Sequence, residues 1–227
     1  MCPDSDQIRE RLERSHLMLL FTPELCLERD PLSVLDAVLS EVDIVQVRPK
    51  AAGAKTPCEA RATFDWAEQI LALVASRRLD TLVLVDDRVD VARALWDRGC
   101  AGVHVGADDM PIDEARTFLG PGPLIGLSTH SLADVIDAEE ARVDYLGFGP
   151  IRATTTKGYV RGIGIEEAWV AASASARPLF AIGGIDHDTA ADLARVGRAA
   201  VASAILSASD PARVARELRA LLTSDAD

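Results

Sequence analysis

Residues 147–158 read Gly-Phe-Gly-Pro-Ile-Arg-Ala-Thr-Thr-Thr-Lys-Gly, an apolar run that ends in glycines and passes into three hydroxyls and a lysine. This order predicts a strand that delivers an anion-binding loop. Gly149 lets the backbone turn without a side-chain clash, and Pro150 ends the strand because it cannot donate to a ladder. Thr154, Thr155, Thr156 and Lys157 then supply donors and a positive charge. A solvated turn can have the same composition, so the flanking sequence must say what kind of strand this is.

Working outward, short runs rich in Val, Ile and Leu recur at 16–21, 43–47, 81–85, 102–105, 124–127, 145–148, 179–182 and 199–202. Segments of helical period follow them at 31–42, 61–76, 89–98, 112–118, 132–140, 165–174, 189–196 and 211–222. Unbroken apolar runs mean strands buried on both faces, and alternation with helices requires parallel pairing through right-handed crossovers. Eight such units in 227 residues fit a single-domain α/β chain folded as a (β/α)8 TIM barrel. A doubly wound sheet seldom sustains so many strict repeats. Residues 1–15 read as a polar N-terminal extension and 223–227 as a C-terminal tail.

With Lys+Arg 24 against Asp+Glu 36, the formal net charge is −12, which disfavours nucleic acid and anionic membrane surfaces as partners. An anionic ligand therefore needs a local basic site. Cys2, Cys26, Cys58 and Cys100 are scattered without a CxxC pair, which argues against a zinc site and a disulfide framework. The apolar run at 17–21 is too short for a membrane span or a secretory signal, and the cytoplasm is the expected location.

In such a barrel the strand C-termini and the loops after them build the face that holds the site. Gln46, Arg48 and Lys50 follow the second strand, and two-residue spacing points Arg48 and Lys50 the same way, toward one anion. Lys157 would join them from across the mouth. Asp86, Asp87 and Asp109 close neighbouring strands, and crowded carboxylates call for a cation such as Mg²⁺. Capping offers a structural alternative: Asp109 for the helix near Pro111, and Asp87 for its own helix or as a partner of Arg88. Gly183-Gly184 and Ser203 match the phosphate site that barrels build from their last two loops. His104, within a strand, reads as a packed or surface residue and not as a catalyst. His130 is the one histidine on a site-facing loop, and it has no nucleophile beside it at a recognisable spacing.

In chain order, Gln46-Val47-Arg48-Pro49-Lys50, Asp86-Asp87-Arg88, residues 102–111, 125–132 and 145–150, Thr154, Thr156 and Lys157, then 181–185 and 201–205, resemble the thiamine-phosphate synthase family. The resemblance implies a TIM-barrel transferase that joins hydroxymethylpyrimidine diphosphate to thiazole phosphate and releases pyrophosphate. It implies Gln46, Arg48, Lys50, Ser128 and Lys157 at the pyrimidine diphosphate, and Asp87 and Asp109 on Mg²⁺. Thr154, Thr156, Gly184 and Ser203 would seat the thiazole phosphate. Pyrophosphate would leave before the thiazole nitrogen attacks, so no protein nucleophile is needed.

Asp86 stands where the family usually carries Asn, which adds a negative charge beside the diphosphate as a further metal ligand or a mark of altered substrate use. Arg48-Pro49-Lys50 replaces the family's Arg-Glu-Lys, and residues 158–162 also depart. Two rival readings are a thiazole tautomerase of the same superfamily using His130, and a non-catalytic phosphate-binding barrel. Retention of Arg48, Lys50, Asp87, Asp109 and Lys157 favours the synthase, because an isomerase gains nothing from a diphosphate half-site. The expected partners are small-molecule substrates, with a homo-oligomer left open.

Overall fold

The structure, a computed structural model, describes residues 4–50, 57–153 and 162–224. The strands are β1 (Leu17–Phe21), β2 (Ile44–Val47), β3 (Leu82–Asp86), β4 (Cys100–Val105), β5 (Leu124–Thr129), β6 (Tyr145–Phe148), β7 (Leu179–Ile182) and β8 (Ala199–Val201). All pair in parallel and in chain order, and the barrel closes through Leu17↔Ala199, Met18↔Ala200 and Leu19↔Val201. Every strand lies within two residues of its expected bounds.

The helices are α1 (Ser5–Glu13), α2 (Pro31–Val38), α3 (Ala60–Arg77), α4 (Val89–Leu95), α5 (Ile112–Leu119), α6 (Leu132–Ala138), α7 (Ile165–Ala174), α8 (His187–Asp192), α9 (Ser203–Leu206) and α10 (Pro211–Leu222). Asp30 and Asp210 cap α2 and α10, each with proline in the first turn, where its missing N–H costs nothing. No helix among the described residues is long and apolar enough to cross a membrane.

Within the stretch read as a polar extension, residues 5–13 form α1. Its buried Ile8 and Leu12 join Trp96 and the inward-facing strand residues, so the helix closes the floor of the barrel. Arg9 Nε meets Asp144 Oδ1 at 3.1 Å and Arg116 Nη2 meets Asp144 Oδ2 at 2.6 Å, which ties α1 and α5 to the start of β6.

Strand alternation sorts the core into two layers. Leu17, Leu19, Phe21, Val45, Val47, Val83 and Val85 face the helices, while Met18, Leu20, Ile44, Leu82, Leu84, Leu124, Tyr145 and Phe180 fill the interior. Continuing the inward period toward the strand C-termini, Ile44 leads to Gln46 and Arg48, Leu84 to Asp86, and Leu124 to Gly126 and Ser128. The apolar interior thus hands over to polar chemistry at one end.

Gly102 permits a close approach at this layer. It has φ +153, and a Cβ there would sit 2.0 Å from the Leu124 carbonyl oxygen, next to the β3–β4 register shift. Gly102→Ala is expected to destabilise the barrel by about 3 kcal/mol or more, from backbone strain plus overpacking. A urea melt checks this; an unchanged midpoint at unchanged slope would refute the close approach.

Candidate active site

Strand pairing persists one residue past β2, where the Arg48 N–H donates to the Phe21 carbonyl at 2.8 Å. The chain then turns at Pro49, with the Lys50 N–H on the Arg48 carbonyl at 2.9 Å. Both cations nonetheless converge. Arg48 Nε lies 3.3 Å and Lys50 Nζ 3.5 Å from Asp86 Oδ2, and Lys50 Nζ lies 2.7 Å from Asp87 Oδ2. Asp86, 5% exposed, is therefore a partner of both cations, and its added charge is met by them. Arg48 is 1% exposed, and among the described residues its buried Nε and Nη1 make no hydrogen bond, so the Asp86 contact is an ion pair.

Asp87 adopts a left-handed backbone, φ 61, and its N–H donates to the His104 carbonyl at 2.8 Å. Burial pushes its carboxyl up, but the Lys50 ammonium and the Cys58 N–H, 2.9 Å from Oδ2, hold it below the ordinary carboxylate range. Burial likewise pushes the Lys50 ammonium down, and Asp86 and Asp87 more than reverse this, leaving it raised. Asp109 is raised, first by burial and then by the Asp87 charge, against the opposing hydrogen bond from the Gly106 N–H at 2.7 Å.

The capping alternatives fail. The cap of α5 is Pro111 without a side-chain bond, α4 has no side-chain cap, and Arg88 pairs with Asp90. Two carboxylates held so that one raises the other form a hard-oxygen pair that a divalent cation would relieve, so Asp87 and Asp109 suit Mg²⁺. Ligand atoms of Cys58, Asp86 and Asp87 also lie within 4.8 Å of one another. Burial, with Asp86 and Asp87, pushes the Cys58 thiol up, so it stays protonated and is a poor ligand.

A cavity opens at this end of the barrel, with Arg48, Ser128, His130, Gly184 and Ser203 on its wall. The Ile151 and Arg152 N–H groups donate to the Ile182 and Gly183 carbonyls at 2.9 and 3.1 Å, so the opening stretch runs directly over the Gly-Gly turn. Gly184 has φ +65, and a Cβ there would lie 2.8 Å from Arg152 Cβ. Thr154, Thr156 and Lys157 lie outside the described residues. Gln46 is buried in the interior beneath the mouth, its Nε2 3.9 Å from Met18 Sδ. His130 turns Nδ1 to the Gly149 carbonyl.

Sequence reasoning missed a polar pair under the cavity floor. His104 Nε2 lies 2.9 Å from Ser128 Oγ, and Nδ1 lies 3.1 Å from the Tyr145 hydroxyl. The available signal was a set of glycines at inward positions of neighbouring strands. A Cβ at Gly126 would lie 2.1 Å from Tyr145 Cζ, and one at Gly147 would lie 3.1 Å from His104 Cε1.

The sequence profile of the thiamine monophosphate synthase family matches residues 17–205. A thiamine-phosphate synthase of Synechococcus sp. strain CC9311 is 40% identical over 214 residues, covering 92% of this chain and 58% of its own length. The chain thus spans little more than half of that relative. One from Mycolicibacterium smegmatis is 39% identical over 223 residues, with 95% of both chains covered. Among solved structures, the thiamine phosphate pyrophosphorylase of Pyrococcus furiosus superposes with a TM-score of 0.76 at 30% identity, over 95% of this chain and 97% of that one. The KGPDC of Streptococcus mutans, at 13% identity and a TM-score of 0.63, shares the fold alone. From the profile match and the full-length relatives, the chain belongs to the thiamine monophosphate synthase family.

Proposed function

We propose that this barrel joins hydroxymethylpyrimidine diphosphate to thiazole phosphate, forming thiamine phosphate and releasing pyrophosphate. The observation that carries the reading is the buried Arg48 guanidinium on the cavity wall, whose Nε and Nη1 have no hydrogen-bond partner among the described residues, beside the charge cluster of Lys50, Asp86 and Asp87. A buried donor without a partner is costly, and an anion docking at the mouth removes that cost.

In this reading Arg48 and Lys50, with Lys157, take the growing negative charge of the departing diphosphate. Asp86 holds the two cations in place. Asp87 and Asp109 would hold Mg²⁺, which when bound supplies further neutralisation of the diphosphate oxygens. Gln46 and Ser128 orient the pyrimidine, while Thr154, Thr156, Gly184 and Ser203 seat the thiazole phosphate. Leaving-group departure then needs positioned positive charge and no covalent intermediate. Arg48, Lys50, Asp87 and Asp109 have no task in a thiazole isomerisation, which disfavours the tautomerase reading with His130. The cytoplasm remains the proposed location.

Mixing both substrates with the enzyme and Mg²⁺ is expected to release pyrophosphate, measured by a coupled phosphate assay. Omitting Mg²⁺ should suppress release, and omitting the thiazole phosphate should abolish thiamine phosphate formation. Release without formation of thiamine phosphate when both substrates are present, or no release at all, would overturn the proposal.

A further inference from the structure

We propose that Tyr145 and His104 form a proton-ordered relay that makes Ser128 a committed hydrogen-bond donor into the cavity and denies it the role of nucleophile. The naming of the acceptor as the pyrimidine diphosphate rests on the function proposed above; the ordering of the protons does not.

Tyr145 is 0% and His104 5% exposed. Burial pushes the Tyr145 phenol up, so it keeps its proton and must place it on an acceptor. Among the described residues the acceptor within hydrogen-bond distance of the phenol is His104 Nδ1, at 3.1 Å. An imidazole that accepts at Nδ1 carries its proton on Nε2. Nε2–H therefore donates to Ser128 Oγ at 2.9 Å. With its oxygen already accepting, Ser128 turns its own proton toward the cavity that it lines.

This order is the reverse of a serine–histidine nucleophile pair. There the group at Nδ1 accepts a proton from the ring, and the bare Nε2 takes the proton of the serine. Here a phenol donor stands at Nδ1, so the ring reaches Ser128 as a donor. The interior is cut to fit these rings, since a Cβ at Gly126 would strike Tyr145 at 2.1 Å and one at Gly147 would crowd His104 at 3.1 Å. Tyr145 and His104 are thus positioning residues, and Ser128 is the residue that meets substrate.

Nitrogen-15 NMR of the unliganded wild-type enzyme reads the ring protons directly. The His104 signals are assigned by their loss in His104→Asn or, if that variant does not fold, by elimination through substitution of His16, His130 and His187. Nε2 protonated with Nδ1 bare is expected; a proton on Nδ1, alone or with Nε2, overturns the relay. In Tyr145→Phe both single-proton forms should be populated, and an unchanged ring would remove Tyr145 from the relay.

In the reaction, Tyr145→Phe and Ser128→Ala should each raise the KM for pyrimidine diphosphate about tenfold, with little further loss in the double variant and an unchanged KM for thiazole phosphate. Fully additive losses would overturn the coupling. If the wild-type enzyme releases no pyrophosphate, the proposed function fails, while the NMR still decides the relay.

Discussion

Replacing Arg48 by lysine is expected to lower kcat/KM for pyrophosphate release by about a hundredfold, the cost of one preorganised donor at a developing anion. That loss corresponds to roughly 2.7 kcal/mol of transition-state stabilisation. Arg48 sets Nε 3.3 Å from Asp86 Oδ2, and its Nη1 has no hydrogen-bond partner among the described residues. A lysine can reach Asp86 or the mouth but cannot span both, because its charge is a single point. Lysine also keeps a cation beside the buried Asp86, so the fold should survive. Removing the charge outright risks about 3–5 kcal/mol, the typical cost of breaking a buried ion pair. Steady-state kinetics with a thermal melt as control make the measurement. Turnover near that of the parent, with an unchanged melt, would refute the role of Nη1.

Asp87→Asn is expected to lower turnover by about two to three orders of magnitude at a fixed Mg²⁺ concentration, and added Mg²⁺ should recover part of the loss. The substitution removes one carboxylate of the proposed metal pair and unties Lys50, whose Nζ lies 2.7 Å from Asp87 Oδ2. It also removes the charge that helps to raise Asp109, so that carboxyl should move back toward its ordinary range.

The pH dependence follows with a definite sign. In the parent, Asp109 ionises above the usual carboxylate range, so apparent Mg²⁺ affinity should weaken as pH falls through that raised value. In Asp87→Asn this weakening should begin at lower pH. Stability moves differently. Asp87 is held low, so its contribution is present above the unfolded-state pKa and is lost as pH falls through the folded one. Lys50 is held high, so its contribution is present below the unfolded-state pKa and is lost as pH rises through the folded one. Mg²⁺ titrations of both proteins across the acidic range test the pair, and superimposable curves would exclude Asp87 and Asp109 as joint ligands.

Much of the site was legible one residue at a time. Arg48, Lys50, Asp87 and Asp109 stand at strand ends, and period two with parallel topology sends strand ends to one face. What the residues do to each other was not legible. Asp86 read as an added charge facing a diphosphate, yet it sits between two cations. His104 read as a packed or surface residue, yet it bridges β5 and β6 through Ser128 and Tyr145. α1 escaped notice because its buried apolar residues are only Ile8 and Leu12, too few for a periodic signal.

The chain by itself determined its strands, most of its helices, their parallel order and the end of the barrel that carries polar chemistry, because these follow from local hydrophobic period and backbone sterics. Tertiary structure decided the closure of β8 on β1, the convergence of Arg48 and Lys50 on Asp86, and the meeting of Ser128, His104 and Tyr145. These contacts join residues far apart in the chain, and their meeting depends on the register between neighbouring strands, where a slip of one residue turns every side chain to the opposite face.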